Sequence, residues 1–99
     1  MAKKLSVIAK FTAQPGREKE VLAGLTEMIA PTRQEKGCIN YNLHVSLSVP
    51  GVFYFYENWT GKDVLDKHLA SPHIKNALKK VVGFLKEPVE LHLMEEVIV

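Results

Sequence analysis

The sequence predicts an α+β fold of β-α-β-β-α-β order, an antiparallel sheet with its helices on one face. Three observations carry this. The runs "LSVIAKFT" and "VFYFYENW" are rich in β-branched and aromatic residues and are bounded by turn residues. Between them the chain changes period at Gly37, from helical spacing before it to strand alternation after it. A second helical region follows, and the chain closes on a strand-like run, "EPVELHLMEEVIV".

Each element can be justified in order. Strand one is Leu5–Thr12, ended by "QPG". From Arg17 on, Val21, Leu22, Leu25, Met28 and Ile29 fall on one apolar stripe of a helix. Pro31 removes a backbone donor and is expected to kink or tighten that helix near its end. Gly37 stops it, because glycine takes the left-handed conformation at little cost. Strand two runs from Cys38 to about Leu47. Alternation puts Ile39, Tyr41, Leu43 and Val45 on one face, and Cys38, Asn40, Asn42 and His44 on the other. "SVPG" turns the chain into strand three, Val52–Trp59. Thr60 and Asp63 resemble a capping box that opens a helix through Val64, Leu65, His68 and Leu69. Ser71 suits an N-cap and Pro72 a first helical position, so a second segment runs through Ile74, Leu78, Val81 and Val82. In the last strand Val89, Leu91 and Leu93 share a face. This order is the ferredoxin-like split βαβ pattern.

At 99 residues the chain is read as a single domain, 1–99. Thirteen Lys and Arg against eleven Asp and Glu give a net charge of +2 with both signs mixed. A nucleic-acid binder would show a basic stripe, so no nucleic-acid partner is expected. The densest basic run, Lys75, Lys79, Lys80 and Lys86, reads as a solvated helix face. Cys38 is the single cysteine, so no internal disulfide can form, and it is expected to pack as a small apolar residue. The opening "MAKKLSVIAKF" has lysines but no long apolar core. It reads as neither a signal peptide nor a membrane span, and the expected location is the cytoplasm.

Strand three is apolar on both faces, with Val52, Tyr54 and Tyr56 against Phe53 and Phe55. The helices can cover only one of them, and a sheet with one wet face should alternate cleanly. A second copy of the chain is the simplest cover for the other face. The expectation is a homodimer packed sheet to sheet.

Several residues could carry chemistry. His68 continues the stripe of Val64 and Leu65 and should point toward the sheet, as a general base or as a structural histidine bonding a carbonyl. His68 and His73 flank a helix break and are not an i, i+4 pair. No cysteine or carboxylate cluster lies near them in sequence, so no metal centre is expected. Glu57 and Trp59 share a face with Phe53 and Phe55. A glutamate among aromatics is either paired, with His68 or Arg33 as candidates, or held protonated; a hydrogen bond in a dimer interface is the structural alternative. Tyr41 offers a hydroxyl on an apolar body. No nucleotide-binding glycine motif is present, so neither flavin nor nicotinamide is expected.

The segments "PTRQEKGCINYNLHVS", "FYFYENW" and "HLASPHIKNAL" together resemble the antibiotic biosynthesis monooxygenase family, over nearly the whole chain. Its most specific parts are Glu35-x-Gly37-Cys38-x-x-Tyr41, Glu57-x-Trp59 and His68-x-x-Ser71-Pro72-His73. The resemblance implies a dimeric ferredoxin-like α/β barrel. Members include cofactor-independent oxygenases of quinols and anthrones, haem-degrading enzymes and isomerases of small signalling molecules. The haem-degrading branch resembles a set of strand-one asparagine, helix tryptophan and later histidine. Here strand one has no asparagine, and the other two places hold His68 and Leu78, so haem degradation is not expected.

For this chain the resemblance implies a small cofactor-independent monooxygenase that oxidises an electron-rich phenol or quinol with dioxygen. His68 would be the base, with Tyr41, Glu57, Trp59 and His73 against the substrate. Two other readings stay open. One is an isomerase that moves a proton beside a carbonyl of a small oxygenated metabolite. The other is a dimeric binding protein without catalysis, which a filled space between sheet and helices would favour.

Overall fold

The computed structural model describes residues 4–99. Met1, Ala2 and Lys3, the start of the stretch read above as neither signal peptide nor membrane span, lie outside the described residues. Strands β1 (Leu5–Thr12), β2 (Cys38–Val45), β3 (Val52–Trp59) and β4 (Glu90–Met94) form one antiparallel sheet in the order β2-β3-β1-β4. Helices α1 (Glu18–Glu27) and α2 (Ile29–Arg33) join β1 to β2, and α3 (Lys62–Leu69) and α4 (Pro72–Val82) join β3 to β4. This is the ferredoxin-like α+β arrangement. Among the described residues, no helix is long and apolar enough to cross a membrane.

The register of β1 on β3 decides what the helices cover. Val7, Ala9 and Phe11 lie opposite Glu57, Phe55 and Phe53, and all six are buried on the helix side. Tyr41 and Leu43 of β2 join them opposite Glu57 and Phe55. Leu91 and Leu93 of β4 lie opposite Ala9 and Val7, so they share this face. The other face carries Ile8, Lys10, Tyr54 and Tyr56. It also carries a polar seam in which Ser6 Oγ donates to Asn58 Oδ1 and Asn58 Nδ2 donates to Asn40 Oδ1.

The tightening expected of Pro31 is present, and other local expectations are corrected. The first helix breaks at Met28, ahead of Pro31, which lies inside α2. Pro31 has no N–H for the Glu27 carbonyl, and the chain tightens there: Met28 N–H donates to the Leu25 carbonyl at 3.1 Å. Leu22 falls off the buried stripe and is exposed, as is Val82 on α4. Strand β2 ends at Val45. Ser46 Oγ accepts the N–H groups of Ser48 and Val49 and draws the chain into its turn early.

A bulge also resets the start of β2. Cys38 lies opposite Trp59, while Asn40 lies opposite Asn58. Ile39 is the extra residue and is exposed, and Cys38 moves to the face of Tyr41. The capping box expected at Thr60 does not form: Gly61, in extended conformation, is the N-cap of α3. Ser71 is the N-cap of α4 and Pro72 its first residue, as expected, although the Ser71 side chain makes no cap bond. Ser71 Oγ instead donates to the His68 carbonyl at 2.6 Å, tying the α3–α4 break together.

Two glycines mark close approaches. At Gly24, where α1 packs on α4, a Cβ would stand 2.2 Å from Val81 Cγ1. Gly37 sits at φ +90, and its Cβ would meet Thr60 Oγ1 and both Val64 methyls at 2.8 Å. The Gly37 carbonyl accepts the Thr60 N–H at 2.9 Å. The joint between α2 and β2, which carries Glu35, is thereby held against the start of α3.

Candidate active site

Between sheet and helices lies a cavity of about 270 Å³. Its walls are apolar, with Phe11 and Phe55 from the sheet, Met28 at the end of α1, and Ile74 and Leu78 from α4. Only three lining side chains carry polar atoms that can hydrogen-bond strongly: Tyr41, Glu57 and His68. The strand periods and the α3 stripe bring them together from β2, β3 and α3.

His68 is 2 % exposed. Its ring lies 4.6 Å from that of Trp59 and 5.4 Å from that of Tyr41 between centroids, and Tyr41 stacks on Phe55 at 4.2 Å. Its Nδ1 is hydrogen-bonded with Glu35 Oε2 at 2.9 Å. The same oxygen is 2.9 Å from Nε2 of His73, which also lies 3.2 Å from Thr32 Oγ1. Burial pushes the His68 pKa down; the Glu35 hydrogen bond and charge oppose this, and the nearby His73 adds to it. A histidine below its ordinary value is neutral at neutral pH and has a lone pair to offer.

Glu57 is also buried, and Trp59 Nε1–H donates to its Oε1 at 2.9 Å. Its pKa is pushed up to about 7, chiefly by burial; the Trp59 bond opposes this and the Glu35 charge adds to it. Glu57 Oε2 and His68 Nε2 bond no side chain or backbone atom among the described residues, and neither is sealed off from open space. Both therefore have hydrogen-bonding capacity to spare where the cavity lies. The Tyr41 hydroxyl donates to Met28 Sδ at 3.8 Å and also meets the Thr32 side chain. Burial, then the charges of Glu57 and Glu35, hold this phenol above its ordinary pKa, so it is a donor and not a base.

The candidate residues thus divide. Tyr41, Glu57 and His68 meet at the cavity. Trp59 is fully buried behind it, holding Glu57 and packing on His68. His73 lines a separate surface hollow with Glu35, Lys36 and Lys67. Glu57 pairs with neither expected cation, for His68 bonds Glu35 and Arg33 donates to the Tyr41 carbonyl. Nor does Glu57 face the outer side of the sheet, where an interface hydrogen bond would need it.

Glu35 is the residue that the sequence left without a role. It stands 33 positions before His68, and only the Gly37 joint brings it there. The donor atoms of Glu35, His68 and His73 lie within 4.8 Å of one another, so the absence of a nearby carboxylate in sequence does not hold in space. These three are the residues with which the site could hold a divalent ion.

Fold and cavity define a small ferredoxin-like α+β protein with histidine and carboxyl groups facing an apolar chamber. Residues 5–80 match the family model for antibiotic biosynthesis monooxygenase, and the chain belongs to that family. It is 34% identical over 94 residues to a Mycobacterium tuberculosis protein named "Putative monooxygenase Rv0793", covering 95% of this chain and 92% of that one. The solved structure of Rv0793 superposes with a TM-score of 0.90 at 32% identity, over 98% of both chains. That of PA3566 from Pseudomonas aeruginosa gives 0.91 at 28% identity, over 99% of this chain and 98% of the other.

Proposed function

We propose that this protein is a cofactor-independent monooxygenase that oxidises an electron-rich phenol or quinol with dioxygen. One observation carries the reading: an apolar chamber of about 270 Å³ with a neutral imidazole, a carboxyl group and a phenol as its polar groups. In this reading His68 Nε2 takes the phenolic proton. The phenolate gives one electron to dioxygen, and the resulting radical pair combines at a ring carbon. O–O cleavage leaves one oxygen on the ring as a carbonyl. The other departs as water with the two protons lost from substrate oxygen and ring carbon. Protonated Glu57 and Tyr41 donate hydrogen bonds to the substrate oxygens, and the dry walls keep the anion reactive.

We also propose that the chain acts as a single cytoplasmic domain and as a homodimer. Ile8, Tyr54 and Tyr56 on the sheet face that no helix covers support the dimer, and Tyr56 is 41% exposed. Light scattering after gel filtration should give twice the chain mass. The open chamber counts against a binding protein with a filled interior. An isomerase draws support from one observation, that His68 and Glu57 both have pKa values displaced by burial.

The test is oxygen uptake with a panel of quinols and anthrones under chelator. Uptake should exceed autoxidation and fall by roughly 10²–10⁴ in His68→Ala. No uptake across the panel would overturn the oxygenase reading, and turnover without oxygen would favour the isomerase.

A further inference from the structure

We infer that Glu35 is the positioning residue of this site. It fixes the tautomer of His68 so that Nε2 presents its lone pair to the chamber, and it supplies the counter-charge when that nitrogen takes a proton. This rests on the reading of His68 as base.

The argument is one of proton bookkeeping. An ionised carboxylate oxygen only accepts hydrogen bonds. Glu35 Oε2 lies 2.9 Å from His68 Nδ1, so that nitrogen carries the hydrogen. In a neutral imidazole the other nitrogen then has none, and it is the one with no partner among the described residues. The same oxygen lies 2.9 Å from His73 Nε2, which is also hydrogen-bonded to Thr32 Oγ1 at 3.2 Å. His73 thereby closes the solvent side of the carboxylate.

The order is chamber, His68, Glu35, His73, surface hollow. When Nε2 takes a proton, the imidazolium that forms lies against Glu35. The ionisable groups around this pair are Glu57 and Tyr41 across the chamber, Cys38 at the start of β2, and His73, Lys36 and Lys67 on the outer side.

Correlation of ring protons with ring nitrogens by NMR reads the tautomer of His68 directly, whatever the substrate. The wild type should show His68 with its proton on Nδ1. Glu35→Gln keeps an acceptor and removes the charge, so His68 should titrate at lower pH than in the wild type. Glu35→Ala removes both, and the Nε2–H tautomer should appear. If the Ala variant does not fold, Glu35→Gln still decides the matter. With any quinol the enzyme turns over, Glu35→Gln should lower kcat by about 10–100-fold with KM unchanged.

A wild-type His68 with its proton on Nε2 would overturn the inference. So would an unchanged titration in Glu35→Gln. Equimolar Zn²⁺ shifting both the His68 and His73 rings would overturn it too, by making Glu35 a metal ligand. The NMR readings need no activity, so an absent oxygenase reaction and a wrong role for Glu35 give different results.

Discussion

Glu35 and Glu57 flank His68 in opposite circumstances. Glu35 lies toward the surface, its side chain 18% exposed, and one of its oxygens meets two imidazoles. Glu57 lies deep in the sheet with a single indole donor, and burial lifts its pKa to about 7. The same carboxyl group meets two imidazole nitrogens near the surface on one side of the histidine, and on the other is drawn toward its neutral acid by burial. Desolvation acts on the charged form of Glu57, and its one donor only partly counters this.

That contrast can be broken most forcefully at Glu57. Folding raises its pKa from 4.5 to about 7, so the folded protein holds this proton more tightly than the unfolded chain does. Its contribution to stability is fully present below pH 4.5 and is lost as pH rises through about 7. Beyond that, ionised Glu57 opposes folding by an amount on the order of 3 kcal/mol. Glu57→Gln keeps an acceptor for Trp59 and removes the charge. It should melt above the wild type at about pH 8 and converge with it in acid. A lower melting temperature at about pH 8 would mean that Glu57 is ionised and well solvated.

On the other side, Gly37→Ala should lower stability by about 1–3 kcal/mol, measured by urea unfolding. The backbone is left-handed there, and the new methyl collides with Thr60 and Val64. Equal stability would show that the Glu35 joint is looser than its contacts suggest. Trp59→Phe removes the bond that draws the Glu57 pKa down. Its midpoint, followed by carboxyl carbon NMR, should climb by about one further unit; no movement would leave burial and the Glu35 charge as the causes. The smallest effect is expected for Tyr41→Phe. Its hydroxyl meets a thioether at 3.8 Å and the Thr32 side chain, so stability should fall by about 0.5–1.5 kcal/mol. A larger loss in thermal melting would reveal a stronger partner for that hydroxyl.

What could be read from the sequence follows from how local each signal is. The bounds of β1 and β3 are those expected, because alternation and flanking turn residues are written within a few positions. The same periods group Tyr41 with Leu43 and Glu57 with Phe53 and Phe55 and turn His68 toward the sheet, but they do not say which face of the sheet lies inward; the helices decide that. The bulge at Ile39 was hidden, because one extra residue leaves composition unchanged while moving Cys38 to the other face. Ser71 and Pro72 were legible as the start of α4 because both signals are local. Thr60 misled because it fits a local capping pattern, yet the helix starts one residue later, after Gly61. Glu35 lay furthest from view. Its partners are set by a glycine joint and by a helix far along the chain, and no periodicity links the two.

The contact at Gly24 bears on what the chamber can admit. Its absent side chain lets α4 settle against α1 at Val81, and Ile74 and Leu78 of that same helix form a wall of the chamber. Gly24 works as a spacer gauge set at its narrowest stop. A methyl there would demand roughly 1–2 Å of helix displacement to restore ordinary carbon–carbon contact. In this scaffold the width of the chamber is governed partly by a residue on the far side of a helix that lines no part of it, so a change there would alter what fits without altering any chemical group in the site.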